Sequence, residues 1–365
     1  MNLSKILNLI LLLCSVSVCT EGIAQPQIKI CITGRVVENL KSYGQSFINA
    51  AYLARDENKL ADKIEIKKYF YNNSPLEPIH AYKQMLNDGC AAIIGFEYLS
   101  DLLLVVTEQQ NNSDNIPIFT SYASTTDNEQ LPKNIFIFMP SYNFQAKKML
   151  RYLQKRFTKI ENVLLITEIN REEMRKYKDV YSYELKKKKI KHDTFDFLEN
   201  DNQILDKLNR FLNKNKYKYV FLLSGAIASA KIADAINDNN ITFIGTENFG
   251  SSVSQTFFMR LNNKIIHSYF LRNLDFLKPN PRLLKFERIY TQKFHEKPTI
   301  LAAYTYDAMN ILLKSYIRMG AVNTHNIYLI NYNGVTGAYL KDTKFNRSIN
   351  SIILSVTKDG YAYEE

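Results

Sequence analysis

Ile28-Lys29-Ile30-Cys31-Ile32-Thr33-Gly34 is the stretch that decides the fold. Apolar residues recur at every second place and the run stops at a glycine, so it reads as a β-strand. A helical pattern follows from about Tyr43 to Asn58, with small residues at Ala50, Ala51 and Ala54. Ile64–Tyr71 is strand-like again. Pro75 to Asn87 is a helix entered through prolines, with Gly89 as its C-cap. Ala91–Ile94 is a short apolar strand ending at Gly95, and Asp101–Gln110 is helical. Ile116–Thr120 and Asn134–Met139 are two more strands.

The same rhythm starts over downstream. Tyr142–Phe157, Glu172–Lys189 and Ala226–Asn237 read as helices. Val163–Thr167, Tyr219–Leu223, Thr242–Gly245 and Gln255–Arg260 read as strands. The Lys186–Lys189 run is a solvated helix end. After Arg260 a long helical stretch holds helices near Pro281–Phe294 and Thr299–Met319, and Tyr332 to Tyr363 is β-like. Short apolar strands alternating with helices predict parallel, doubly wound sheets. The fold class expected is therefore α/β, with two doubly wound lobes. With no Pro/Ser-rich linker, the lobes meet at a hinge with a cleft, and ligands of such sheets sit beyond the carboxyl ends of the strands.

The chain has 365 residues, which suits two lobes, each large enough to bury a core. Its 46% hydrophobic and 23% charged residues exclude a disordered or fibrous chain. The net charge is +11, but no dense basic stripe is interleaved with aromatics, so no nucleic-acid partner is expected. Residues 1–24 read as a signal peptide: Lys5, an apolar run from Ile6 to Val18, and Gly22-Ile23-Ala24 before cleavage at Gln25. The run is too short to span a bilayer. Lipid attachment at Cys19 is the less favoured alternative, because Val18 before it is bulky. The expected location is the periplasm. Cys31 and Cys90 remain in the exported chain, either as a disulfide or as two buried small residues.

Catalytic motifs are missing. The five histidines show no ligand spacing, and no nucleophile elbow, phosphate loop or dinucleotide fingerprint occurs. Neither an enzyme nor a cofactor or metal is expected.

Motifs along the chain carry a resemblance: Thr33-Gly34 with Tyr43-Gly44-Gln45, Ala92-Ile93-Ile94-Gly95, Ala123-Ser124-Thr125, Pro140-Ser141, Gly245-Thr246-Glu247, Tyr306-Asp307-Ala308 and Gly334-Val335-Thr336-Gly337. In this order they resemble the type I periplasmic binding proteins, in particular the leucine/isoleucine/valine-binding branch that feeds ABC importers. The resemblance implies three crossings between lobes, with residues 25–141 and 261–330 in lobe 1 and 142–260 and 331–365 in lobe 2. It implies a small amino acid-like ligand and an ABC permease as partners. It assigns Ala123 and Thr125 to the ligand's α-carboxylate and α-ammonium, and Glu247 to the ammonium as well. Tyr43 would cover the ligand side chain. Ser100 takes the place of a family serine only if one residue is inserted; otherwise Leu99 stands there.

Departures concentrate in the second lobe. Asn170-Arg171-Glu172-Glu173 replaces a frequent aromatic, Ser224-Gly225-Ala226 lacks a tyrosine, and Met139 stands where arginine is common. Arg171, Glu172 and Glu97 are candidates for a polar pocket, and Tyr98 and Tyr122 for an aromatic one. A sensor, or a scaffold of the same fold without a ligand, are the alternative functions.

Overall fold

The computed structural model describes residues 27–36, 41–72, 74–199, 201, 203–214, 216–236, 240–250, 268–274, 280–337, 339–341, 344–346, 351–357 and 360–364. The signal segment and the expected strand Gln255–Arg260 lie outside these residues.

The first lobe is built from β1 (Ile28–Arg35), α1 (Lys41–Glu57), β2 (Ile64–Tyr71), α2 (Glu77–Asn87), β3 (Cys90–Ile94), α3 (Leu99–Asn112), β4 (Ile118–Thr120) and β5 (Ile135–Ile137). Its five strands are all parallel, in the order β2-β1-β3-β4-β5. The second lobe contains α4 (Tyr142–Arg156), β6 (Val163–Glu168), α5 (Glu172–Lys187), β7 (His192–Phe197), α6 (Ile204–Leu212), β8 (Tyr219–Leu223), α7 (Ala226–Ala235), β9 (Thr242–Gly245) and β10 (Tyr269–Arg272). Here β7-β6-β8-β9-β10 repeat the order of the first sheet. The antiparallel strands β14 (Ile352–Thr357) and β15 (Gly360–Tyr363) extend it at one edge. Between the two visits to this sheet run α8 (Pro281–Phe294), α9 (Ile300–Met319), α10 (Thr324–Tyr328) and a small three-stranded sheet of β11 (Tyr332–Asn333), β12 (Tyr339–Lys341) and β13 (Lys344–Asn346).

Local chemistry explains the elements. All six residues of β6 are buried, as a strand covered on both faces requires. Its alternation then divides the core. Val163 and Leu165 pack with α4 and α5, whereas Leu164 and Ile166 pack toward α6 and α7. Ser141 starts α4 by accepting from the Phe144 amide at 3.2 Å, and Thr299 starts α9 in the same way from Ala302 at 3.1 Å.

The two-lobe α/β class is as expected; the crossing points differ. Tyr269–Arg272 pairs with β9 and β14, so it is a strand of the second sheet. The chain therefore reaches the first-lobe core at Leu274 and α8, not at residue 261. Ile330 and Val335 still pack in that core, so the last crossing falls after residue 335 rather than at 331.

Cys31 and Cys90 form a disulfide, with Cα atoms 5.9 Å apart. Their strands β1 and β3 are neighbours in the first sheet, which brings residues 59 positions apart into bonding reach.

Candidate functional site

Both sheets end toward one cavity of about 320 Å³. Its walls come from both lobes. Arg35 at the end of β1, Glu97 and Tyr98 after β3, and Tyr122 and Ser124 after β4 supply the first. Glu168 at the end of β6 and Arg171 after it, Gly225–Ala228 after β8, and Glu247 after β9 supply much of the second. This is the place where doubly wound sheets bind ligands, because strand ends and helix starts converge there.

On the first wall Arg35 is clamped. Its Nε donates to Asp101 Oδ2 at 2.7 Å, and its Nη2 donates to Oδ1. Tyr71 Oη donates to the same Oδ2 at 2.7 Å. The Arg35 guanidinium lies 4.3 Å from the centre of the Tyr98 ring. On the second wall Arg171 Nε donates to Glu168 Oε1 at 2.7 Å, and the Gly225 amide donates to Oε2 at 2.8 Å. Glu247 opens a short 3₁₀ turn and is 8% exposed. Asn273 holds it from its side chain at 2.7 Å and from its amide at 3.3 Å. Burial raises the Glu247 pKa, against those two hydrogen bonds and the charge of Arg272. Gln145 joins this network, accepting from Tyr177 Oη at 2.6 Å.

The lobes are also bridged beside the cavity. The Leu99 amide at the start of α3 donates to Glu173 Oε1 at 3.1 Å, and Lys176 Nζ lies 2.6 Å from Glu129 Oε1. The Leu99 side chain is buried in the second-lobe core.

Of the residues expected at the site, Glu247 lines the cavity. In Ala123-Ser124-Thr125 the wall residue is Ser124, while Ala123 and Thr125 are buried behind it. The Ser124 hydroxyl donates to the Pro140 carbonyl, and the Thr125 carbonyl accepts from the Tyr142 amide at 2.9 Å. Ser100 is not in the wall; its Oγ stands behind Arg35, 3.4 Å from Nη2. The Tyr43 side chain lies outside the described residues; Gly44 and Phe47 of the same helix do line the cavity. Arg171, Glu97, Tyr98 and Tyr122 are wall residues, and Glu172 is not. Sequence reasoning passed over Glu168, although a lone acid closing the buried run Val163–Thr167 is a signal. Tyr142 and Tyr177 are wall residues with no signal of their own in the sequence, and Gln145 stands in the sequence only as part of the motif Gln145-Ala146.

No family model matches the sequence, and no curated protein matches it. Solved structures do match the fold. The leucine-binding protein LivK of Thermotoga maritima is 15% identical, with a TM-score of 0.76 over 93% of this chain and 98% of that one. LivJ of Streptococcus pneumoniae, in complex with isoleucine, is 18% identical, with a TM-score of 0.74 over 93% and 99%. An ABC-transporter solute-binding protein of Rhodopseudomonas palustris BisB5, in complex with 3,4-dihydroxybenzoic acid, is 14% identical, with a TM-score of 0.73 over 93% and 95%. The chain thus has the fold of the type I periplasmic binding proteins. Among the described residues, no helix is long and apolar enough to cross a membrane.

Proposed function

We propose that the protein is an exported solute-binding protein. It captures a small ligand, an amino acid or similar zwitterion, between its lobes and delivers it to an ABC permease. The observation that carries this reading is one cavity walled by the strand ends of both lobes. Such a geometry couples binding to closure, because a ligand touching both walls favours the conformation that brings them together. Glu247 is the proposed partner of the ligand ammonium, and the Ala123–Thr125 segment, through its backbone and Ser124, that of the carboxylate. The work is binding, not bond-making. Export rests on the signal segment 1–24, and the Cys31–Cys90 bond accords with an oxidising compartment.

The bridges Leu99–Glu173 and Lys176–Glu129 favour one second reading, a scaffold held shut and without a ligand. Thermal unfolding against a panel of amino acids, short peptides and amides separates the two. The chain has no tryptophan, so calorimetry or a dye provides the signal. A ligand at about 100 times its Kd adds roughly 2.7 kcal/mol, an upward Tm shift of a few degrees. No shift with any compound would favour the scaffold.

A further inference from the structure

Glu97 is the wall residue whose chemistry is least accounted for. It is 7% exposed, and its Oε1 has no hydrogen-bond partner. The carboxylate packs over Gly34, where a Cβ would stand 2.9 Å from Oε1. A buried carboxylate without a counter-charge is costly, so one retained in a ligand cavity needs a reason. The nearby Arg35 offsets only part of that cost, because Asp101 already holds its guanidinium through two hydrogen bonds. Across the cavity Arg171 is likewise held by Glu168. Both arginines of the wall are thus matched by acids, while Glu97, Glu173, Glu199 and Glu247 line the same space. Aromatic side chains complete it: Phe47, Tyr98, Tyr122, Tyr142 and Tyr177. Acids and aromatic faces together suit a positive charge.

We propose that the ligand is an organic cation, bearing an amine or guanidinium that Glu97 receives on the first-lobe wall. This rests on the solute-binding reading above and narrows its ligand class. It places a charge contact on the first lobe, opposite Glu247 on the second, so a ligand with a cationic group beyond an α-ammonium would engage both.

The state of Glu97 supports the assignment. Burial, with Asp101 adding to it and a backbone hydrogen bond and Arg35 opposing, pushes its carboxyl up to about 8. The groups facing it are Arg35 from β1, Tyr71 from β2, and Tyr98 and Asp101 beside it, with Arg171 and Glu173 across the cavity near Tyr98. Without a ligand Glu97 keeps its proton at neutral pH. A bound cation favours the carboxylate, so binding releases a proton and tightens as pH rises from 6 toward 8.

Titration calorimetry of the purified protein and of Glu97→Gln and Glu97→Asp tests this. The probes are putrescine, agmatine, L-arginine and choline, with L-leucine and L-glutamate as neutral and acidic controls. At least one cation is expected to bind more tightly than either control. Glu97→Gln should weaken it tenfold or more and flatten its pH dependence, and Glu97→Asp should restore part of the affinity. Leucine or glutamate binding best, with Glu97→Gln without effect, would overturn the cation assignment and leave the solute-binding reading standing. A cation bound equally well by Glu97→Gln would overturn the role of Glu97. No heat with any probe would overturn both.

Discussion

Asp307→Ala is expected to lower the stability of the first lobe by about 4 kcal/mol. Asp307 lies inside α9 with its carboxylate fully buried. It accepts from Tyr332 Oη at 2.5 Å and from the amides of Val335 and Thr336 at 2.9 Å each, and Thr336 Oγ1 donates to it at 2.5 Å. Four donors converge on one anion, and charge-assisted hydrogen bonds are the strong ones. Alanine would leave two buried amides and two hydroxyls without their acceptor. Gly334 belongs to the same unit, because a Cβ there would run into the Asp307 carboxylate. The clasp fixes the turn that joins β11 to β12. Urea unfolding followed by circular dichroism measures the effect. Asp307→Asn should lose about half as much, since its amide oxygen can keep one pair of donors while its nitrogen cannot accept from the other. A loss below about 1 kcal/mol for both variants would mean that the clasp does not hold this segment.

The second large effect concerns Cys31 and Cys90. Replacing both by alanine is expected to cost roughly 4 kcal/mol, from the entropy regained by an unfolded loop of this length. The bond ties β1 to β3, the strands on either side of the point where the first sheet reverses its winding and beside Arg35 and Glu97. Adding reductant to the wild-type protein should lower its Tm in the same direction, and thiol labelling should find both cysteines only after unfolding in reductant. An unchanged Tm, with two thiols titrating in the oxidised protein, would contradict the bond.

The strands that legibly decide the fold are those buried on both faces. Ile28–Ile32, Ala91–Ile94, Val163–Thr167 and Tyr219–Leu223 each announce themselves as short apolar runs. Tyr269–Arg272 does not, because it lies within the stretch after Arg260 that reads as helical, and so the crossing is set too early at 261. The Cys31–Cys90 pairing needed the adjacency of β1 and β3, a property of the folded sheet and not of local sequence. In the site, Glu247 is legible through the resemblance, which implies an acid after that strand of the second lobe. Within Ala123-Ser124-Thr125 the segment is legible and the side chain is not, since a one-residue turn of the backbone decides which of three small residues faces the cavity. Ser100 fails for the same reason: Leu99 enters the second-lobe core, and the serine is turned behind Arg35. Asp307 and Gly334–Thr336 are two motifs in the sequence and one hydrogen-bonded unit in the structure.

On the proposed function, both lobes grip one ligand. The measurement that tests it most directly is titration calorimetry of whichever compound raises the Tm, on the wild-type protein, on Tyr98→Ala in the first lobe and on Glu247→Gln in the second. One ligand per chain is expected in the wild type, and at least a tenfold loss of affinity in each variant. Full affinity in both variants, or a loss confined to one lobe, would contradict it.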